Sequence, residues 1–233
     1  MSAQEHSPQT ILKALDTKAW QDAKDRFYAR QEALSATDAK TYPARLDENY
    51  SKYFDLTEYV RVHWNHVRRI GLDQQDKALN VLDLGCGSGI FLAICQHLGH
   101  RGVGLDIGSQ MYRDMAIALG VERRTGLILP QQPLGADLQG FDVITAMSTK
   151  FDREDFANPG VPTWSAADWK FFFTDLANRL NEGGVIYVSP NKWRTADRFP
   201  DRENVIAYFD RMADKKFEKE KFIFTREKIL GDV

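Results

Sequence analysis

The stretch VLDLGCGSGIF, residues 81–91, joins an apolar run to three closely spaced glycines. The run LNVLDL reads as a strand buried on both faces, and SGIFLAICQHLG reads as the helix that follows it. Gly85, Gly87 and Gly89 allow the backbone to turn sharply and to approach a ligand closely, and the first turn of the helix has unbonded N–H groups. The stretch therefore predicts a ligand-binding loop between a strand and a helix.

Strands and helices continue to alternate after residue 77. Further strands are predicted in GVGLD, TGLIL, FDVITAM and VIYVSP, and further helices in SQMYRDMAIALG, AADWKFFFTDLANRLNEGG and RENVIAYFDRMAD, with one or two strands in KFEKEKFIFTREKIL. Such alternation predicts parallel strands joined by right-handed crossovers, hence an open α/β sheet with helices on both faces. Sheets of this kind bind their ligands at the carboxyl ends of the strands.

The region before residue 77 has a helical period instead. TILKALDTKAWQDAKDRFYARQEAL and LTEYVRVHWNHVRRI carry apolar residues three and four positions apart. Between them, TYPARLDENYSKYFD contains Pro43 and polar residues, which predicts a turn or a short irregular helix. We therefore divide the chain into a helical N-terminal cap, residues 1–76, and an α/β core, residues 77–233, and expect the cap to act as a lid.

Composition excludes several classes of function. The 31 Lys and Arg residues are balanced by 33 Asp and Glu, a net charge of -2, which does not favour a nucleic acid partner. Neither an export signal nor a run long enough to span a membrane occurs, so we expect a cytoplasmic protein without a membrane partner. Cys86 and Cys95 are expected to be reduced packing residues.

Two classes of ligand are typical of such a glycine loop. A dinucleotide would need the G-x-G-x-x-G spacing, but the third glycine position is Ile90, and Asp83 would repel a pyrophosphate. S-adenosylmethionine carries a positive sulfonium and a positive α-amino group, for which an acidic residue beside the loop is favourable. The residues therefore favour the second ligand.

The same segments resemble a known family. VLDLGCGSGIFL and GVGLDIGSQM resemble the first two motifs of the class I, Rossmann-like S-adenosylmethionine-dependent methyltransferases, and GFDVITAM and LNEGGVIYVSP are similar to their fourth and fifth strand segments. The resemblance covers roughly residues 77–233. It implies a doubly wound, mostly parallel, seven-stranded α/β sheet with an N-terminal helical cap, S-adenosylmethionine as cofactor, and methyl transfer as the activity.

The resemblance also implies roles for the loop and for the end of the second strand. Gly85, Gly87 and Gly89 would line the methionine and ribose of the cofactor, and Asp83 would help to hold its amino-acid end. Asp106 would accept hydrogen bonds from both ribose hydroxyls, which suits a carboxylate with two acceptor oxygens.

The adenine end departs from the family pattern. The family commonly has an acidic residue after the third strand that receives the adenine amino group, whereas this chain has LILPQQPLG. A glutamine carbonyl can accept the same hydrogen bond, so Gln131 or Gln132 is expected to replace the acid. The other residues expected at the cofactor are Cys86, Ile107, Met111 and Ala146.

The acceptor side is less sharply specified. His63, His66 and Asp152 are candidate bases, although a structural imidazole and a solvated loop charge are the more common explanations of such residues. No metal is expected, because His63 and His66 have no evident third ligand. The residues expected to contact the methyl acceptor are Tyr50, Tyr53, Lys150 and Trp193.

The segment after the fourth strand bears on the atom that is methylated. Methyltransferases of nucleobase amines and glutamine amides typically have Asn or Asp followed by two prolines and an aromatic residue there, whereas this chain has TAMSTKFD. We therefore expect O-methylation of a small molecule or saccharide. N-methylation of a small amine and a methyltransferase-like protein that binds without turnover are the alternatives.

Overall fold

The computed structural model describes residues 7–37, 52–149, 151, 164–190, 201–218 and 220–232. The N-terminal part is helical, as predicted. It consists of α1 (Pro8–Leu15), α2 (Lys18–Thr37), a 3₁₀ turn (Lys52–Phe54), α3 (Leu56–Ile70) and a second 3₁₀ turn (Leu72–Gln74). Helix α3 begins where the Asp55 side chain accepts a hydrogen bond from the Glu58 amide, and it ends at Gly71 in a left-handed conformation (φ +81°).

The rest of the chain alternates strands with helices. In order these are β1 (Asn80–Leu84), α4 (Ile90–His97), β2 (Arg101–Asp106), α5 (Gln110–Ala118), β3 (Glu122–Thr125), β4 (Phe141–Met147), α6 (Ala166–Ala177), β5 (Leu180–Ser189), α7 (Arg202–Met212), β6 (Lys215–Phe217), β7 (Lys221–Thr225) and α8 (Arg226–Leu230).

The strands form one seven-stranded sheet in the order β3-β2-β1-β4-β5-β7-β6. Strand β4 pairs in parallel with β1 and with β5, whereas β7 is antiparallel to both β5 and β6. The predicted doubly wound, mostly parallel α/β sheet is confirmed.

The third strand is displaced from its predicted place. The structure has β3 at Glu122–Thr125, and the predicted strand TGLIL contributes only Thr125 to it. Leu127 is 63% exposed, so the apolar residues that suggested a strand are not buried. Burial of apolar side chains is what favours a strand over such a run. Because that burial is missing, the prediction of a strand in TGLIL was wrong.

The helix predicted to reach the glycine pair 183–184 also ends early. Helix α6 stops at Ala177, and β5 begins at Leu180. Leu180 pairs with Phe141, and the next pair on the strand is Val185 with Val143, so the polar and glycine residues between them form an irregularity in β5. The eighth helix, α8, was also missed, because it is only five residues long.

The chain divides into two compact units. Unit 1 comprises Met1–Ala78, Cys86–Gly104 and Gly108–Arg124, and unit 2 comprises Leu79–Gly85, Leu105–Ile107 and Thr125–Val233. In unit 1, the rings of Trp20 and Phe27 pack on Phe54, with centroids 5.7 and 5.2 Å away. These three side chains are buried and anchor α2 to the turn before α3.

Unit 2 has an aromatic core. Trp169, Phe172 and Phe173 on α6 are at most 2% exposed and pack in the interior of the unit. The ring of Phe173 lies 4.5 Å from Phe224 on β7, and the ring of Trp169 lies 4.9 Å from Phe209 on α7. This cluster joins two helices to the antiparallel edge of the sheet.

Two further features concern the whole described chain. Neither Cys86 nor Cys95 forms a disulfide, and both side chains are buried. Within the residues that the structure describes, no helix combines the length and the apolar character needed to cross a membrane.

Candidate functional site

The glycine loop begins in unit 2, where the chain leaves β1. Gly85 has a left-handed conformation (φ +74°), and its N–H donates to the Leu105 carbonyl at 2.7 Å. A Cβ atom at Gly85 would collide with the Thr149 hydroxyl and lie 2.9 Å from its methyl carbon. The Thr149 hydroxyl is itself held by the Leu84 carbonyl at 2.6 Å. Only glycine satisfies both the conformation and the space at this turn.

The loop continues in unit 1 through two more left-handed glycines. Gly87 (φ +54°) faces Tyr112, whose ring atoms would lie 3.9 Å from a Cβ there. Gly89 (φ +80°) precedes the first residue of α4 and packs against Val121. Cys86 is buried, and a Cβ at Gly104 would lie 2.7 Å from its own Cβ, so close packing accounts for the cysteine.

Asp83 lies on β1, two residues before the turn, and is 3% exposed. Its partner across the parallel ladder is Thr145 on β4, whose hydroxyl donates to the carboxylate at 2.6 Å. Burial raises the pKa of Asp83 to about 7; the Thr145 hydrogen bond opposes this rise, and the Asp106 carboxylate adds to it. Asp83 is therefore a carboxyl group that titrates near neutral pH.

Asp106 is the last residue of β2 and is half-buried. Its carboxylate accepts a hydrogen bond from the Ile107 amide at 2.6 Å, and its carbonyl accepts from Gly126 N at 2.9 Å. Ile107 is 41% exposed. Asp83 and Asp106 thus lie at the carboxyl ends of β1 and β2, beside the turn at Gly85.

The remaining residues predicted at the cofactor differ in exposure. Met111 is buried in the first turn of α5, and Ala146 is fully buried on β4, opposite Leu84. Gln131 has a left-handed backbone (φ +58°), and its amide nitrogen donates to the buried Asp168 carboxylate at 2.9 Å. Gln132 is exposed. Since Asp168 holds the Gln131 nitrogen, it also orients the carbonyl oxygen that the prediction needs.

Five rings of unit 1 form a continuous strip, which we call the ring strip. It consists of Tyr112, Tyr53, Tyr59, His63 and Phe91, and neighbouring ring centroids in this order are 5.5, 5.6, 6.0 and 6.0 Å apart. Tyr112 lies against Gly87, and Phe91 belongs to the first turn of α4. The ring strip therefore contacts the glycine loop and the helix that follows it.

His63 is the polar member of this strip. Its ring is half-buried, and its Nδ1 atom is buried without a hydrogen-bond partner among the described residues. Burial lowers the pKa of His63 to about 4 and raises the pKa of Tyr59 to about 12. Both side chains are consequently neutral at physiological pH. His66 is buried, with its ring 6.1 Å from that of His63.

Four predicted residues lie outside the described part of the chain: Tyr50, Lys150, Asp152 and Trp193. Of the acceptor-side predictions, the structure thus places Tyr53 and His63, and it places them in one strip. Among the described residues, no group of three or more His, Cys, Asp or Glu side chains is arranged to hold a metal ion.

Comparisons with known proteins bear on the fold. No family model matches the chain, and no curated protein matches it. Among solved structures, the chain is similar to the PH0226 protein from Pyrococcus horikoshii OT3, with 15% identity over 71% of this chain and 89% of that one and a TM-score of 0.51. The similarity shows that the chain shares the α/β fold of that protein.

Two weaker similarities have TM-scores below 0.5. DesVI of Streptomyces venezuelae has 17% identity over 59% of this chain, with a TM-score of 0.42. CalS10 of Micromonospora echinaspora, an amino pentose methyltransferase with bound SAM, has 23% identity over 60% of this chain and a TM-score of 0.41. In each case the match covers 52% of the other protein, so the chain spans about half of their length.

The sequence motifs alone do not point to several of these contacts. The sequence does not single out Thr145 as the partner of Asp83, because that contact depends on the register between β1 and β4. Tyr59 and Tyr112 are likewise not singled out, since they lie on separate helices. For Thr145, a polar residue inside the apolar strand FDVITAM is the signal that was available.

Proposed function

We propose that the chain is an S-adenosylmethionine-dependent methyltransferase that acts on an oxygen atom of a small molecule or saccharide. One observation carries the proposal. Two carboxyl groups, Asp83 and Asp106, lie at the ends of adjacent strands and interact electrostatically, beside a turn that only glycine can make. Two carboxyl groups held close together favour a ligand that brings positive charge or hydroxyl donors.

The donor set fits S-adenosylmethionine. Asp83 would face the cationic amino-acid end, Asp106 would accept from the ribose hydroxyls, and Gln131 would receive the adenine amino group. The exposed Ile107 would pack on the adenine ring. A dinucleotide fits less well, because its pyrophosphate would lie near the Asp83 and Asp106 carboxyls.

Bound S-adenosylmethionine supplies a methyl group on a sulfonium, which is transferred by in-line displacement. The work left to the protein is positioning of the two reactants and exclusion of water. Gly85, fixed to Leu105, gives the loop a defined path. The carboxylates of Asp83 and Asp106 would hold the amino-acid end and the ribose of the cofactor.

The methyl acceptor is assigned to the ring strip of unit 1, whose Tyr53, Tyr59 and His63 belong to the cap, residues 1–76. Tyrosine rings can stack on the apolar face of a sugar or ring system. Neutral His63 can accept a hydrogen bond from an acceptor hydroxyl through its unpartnered Nδ1. With a pKa of about 4, however, its imidazole is a weak base and serves to orient the hydroxyl.

The cofactor assignment is tested by calorimetry with S-adenosylhomocysteine and, separately, with NAD. We expect the first to bind and the second not to bind. Asp106→Ala is expected to weaken binding of S-adenosylhomocysteine by about 2–4 kcal/mol, the loss of two charge-assisted hydrogen bonds. Glu182→Ala removes one exposed carboxylate from the β5 irregularity and is the control, with unchanged affinity expected. Unchanged affinity in Asp106→Ala would contradict the assignment.

The reaction is tested with methyl-labelled S-adenosylmethionine and a pooled metabolite extract. We expect a labelled small product, identified by mass spectrometry as a methyl ether or ester. A labelled nucleobase or amide nitrogen would overturn the oxygen assignment. Cofactor binding without any labelled product would instead favour a binding protein that lacks turnover.

A further inference from the structure

Thr145 occupies an unusual position in the sheet. It lies on β4 directly opposite Asp83 and is fully buried. Its hydroxyl lies 2.6 Å from the Asp83 carboxylate and 3.4 Å from the Leu82 carbonyl. One hydroxyl therefore reaches both a carboxyl group and a backbone acceptor on the neighbouring strand.

These two contacts give the pair two hydrogen-bonded states. When Asp83 is ionised, the Thr145 hydroxyl donates to the carboxylate. When Asp83 is protonated, its own O–H can donate to Thr145, and the threonine proton then turns to the Leu82 carbonyl. Neither state leaves a buried polar hydrogen without a partner, so gain or loss of the proton costs no hydrogen bond.

The surroundings of Asp83 set which state prevails without a ligand. Strand β4 presents the uncharged Thr145, and β2 contributes the carboxylate of Asp106, which repels a second negative charge. The side chain of Asp83 is 3% exposed, so water stabilises its charge only weakly. Burial and Asp106 therefore both favour the neutral acid.

We propose that Thr145 is a positioning residue that lets Asp83 exchange a proton, so that binding of the cofactor's cationic end ionises Asp83 and releases one proton to solvent. This inference rests on the proposed function and deepens it by coupling cofactor affinity to pH. The α-amino group of the ligand supplies the charge that replaces the proton. Since the pKa of Asp83 in the ligand-free protein is about 7, the affinity for the cofactor rises with pH up to that value and then becomes constant.

The test is titration calorimetry with S-adenosylhomocysteine between pH 6 and pH 8, in pairs of buffers that differ in ionisation enthalpy. The wild type is expected to release close to one proton per bound ligand at pH 6 and almost none at pH 8. Its affinity is expected to increase about tenfold from pH 6 to pH 8. Asp83→Asn carries no titratable group and is the matched reference. The affinity of this variant is expected to be low and nearly independent of pH. Subtracting its proton release from that of the wild type removes the contribution of the ligand's own titration.

Thr145 is tested through the midpoint of that pH profile. Thr145→Val removes the hydrogen bond that favours the ionised acid, so the midpoint is expected to move to higher pH. Thr145→Ser retains the hydroxyl and is expected to restore the wild-type midpoint. A merely structural threonine would alter stability in both variants and leave the midpoint in place.

The outcomes separate the inference from the proposed function. Binding with the same proton release in wild type and Asp83→Asn would overturn the inference and leave the cofactor assignment intact. If S-adenosylhomocysteine does not bind at any pH, the proposed function fails, and infrared difference spectra of the ligand-free proteins decide the rest. A protonated carboxyl band at pH 6 that is absent from Asp83→Asn would support proton exchange at Asp83, and its absence from the wild type would contradict it.

Discussion

Asp83 in unit 2 and His63 in unit 1 respond to the same physical cause in opposite directions. Both lose solvation, and in both the neutral form gains, so the pKa of the acid rises to about 7 and that of the base falls to about 4. They differ in their partners. Asp83 has Thr145 at 2.6 Å, whereas the His63 Nδ1 has no partner among the described residues.

The contrast separates two kinds of site. The carboxyl side is built on paired strands, where the ladder places both the group and its partner, and it can carry a charge once a cation binds. The imidazole lies among rings on a helix, where packing sets its place and leaves a hydrogen-bond acceptor unused. We propose the first arrangement for the cofactor and the second for the methyl acceptor.

The largest expected effect is on stability, through Asp83→Asn. The native pKa of Asp83 lies above its unfolded value, so the native state binds the extra proton and loses stability as pH rises from about 4 to about 7. Asparagine cannot ionise, so the variant escapes this loss. The unfolding free energy of the variant minus that of the wild type should therefore rise by up to about 4 kcal/mol between pH 4 and pH 8.

Denaturant unfolding of the ligand-free proteins at a series of pH values measures this difference. The difference between the two unfolding free energies is the quantity to follow, because other titrating groups cancel in it. A difference that does not change with pH would mean that Asp83 is ionised without cost in the folded protein.

A second prediction concerns the turn after β1. Gly85→Ala introduces both a strained φ and a collision with Thr149, for a total cost of about 3 kcal/mol in unfolding free energy. Gly99→Ala is the matched control, because Gly99 has a similar left-handed φ of +88° and nothing within 4 Å of the added Cβ. That control should cost about 1 kcal/mol. Equal losses in the two variants would show that Thr149 does not crowd the turn.

The third prediction concerns His63→Phe. The native pKa of His63 lies below its unfolded value, so the native state binds fewer protons and stability is lost as pH falls from about 6.5 to about 4. Phenylalanine has no such loss. At pH 4 the variant should therefore recover about 2 kcal/mol of unfolding free energy, a value reduced to account for the partial exposure of the ring. Unfolding of both proteins at pH 4 and pH 7 measures it, and parallel pH profiles would refute a buried neutral imidazole.

The smallest effect distinguishes two neighbouring glutamines. Gln131→Ala should weaken binding of S-adenosylhomocysteine by about 1 kcal/mol, the net value of one hydrogen bond to the adenine amino group. Gln132→Ala should leave affinity unchanged, because this exposed side chain is not held as Gln131 is by Asp168. Calorimetry on both variants decides which residue contacts adenine, and the reverse order of effects would shift the register by one.

The sequence by itself determined the α/β class, the glycine turn and the acidic residues at the ends of β1 and β2. These follow from local rules, because alternation of apolar runs sets the strands and a left-handed turn such as that at Gly85 requires glycine. Local rules failed for TGLIL and for the NEGG segment, where burial and strand pairing decided the outcome.

Only the tertiary structure decided which side chains meet. Thr145 reaches Asp83 because two strands separated by about sixty residues pair in one register, and a shift by one residue would turn the threonine to the other face. The ring strip likewise joins Tyr53, Tyr112 and His63 from separate elements of unit 1. Contacts between distant segments depend on packing of the whole chain, which no short window of sequence contains.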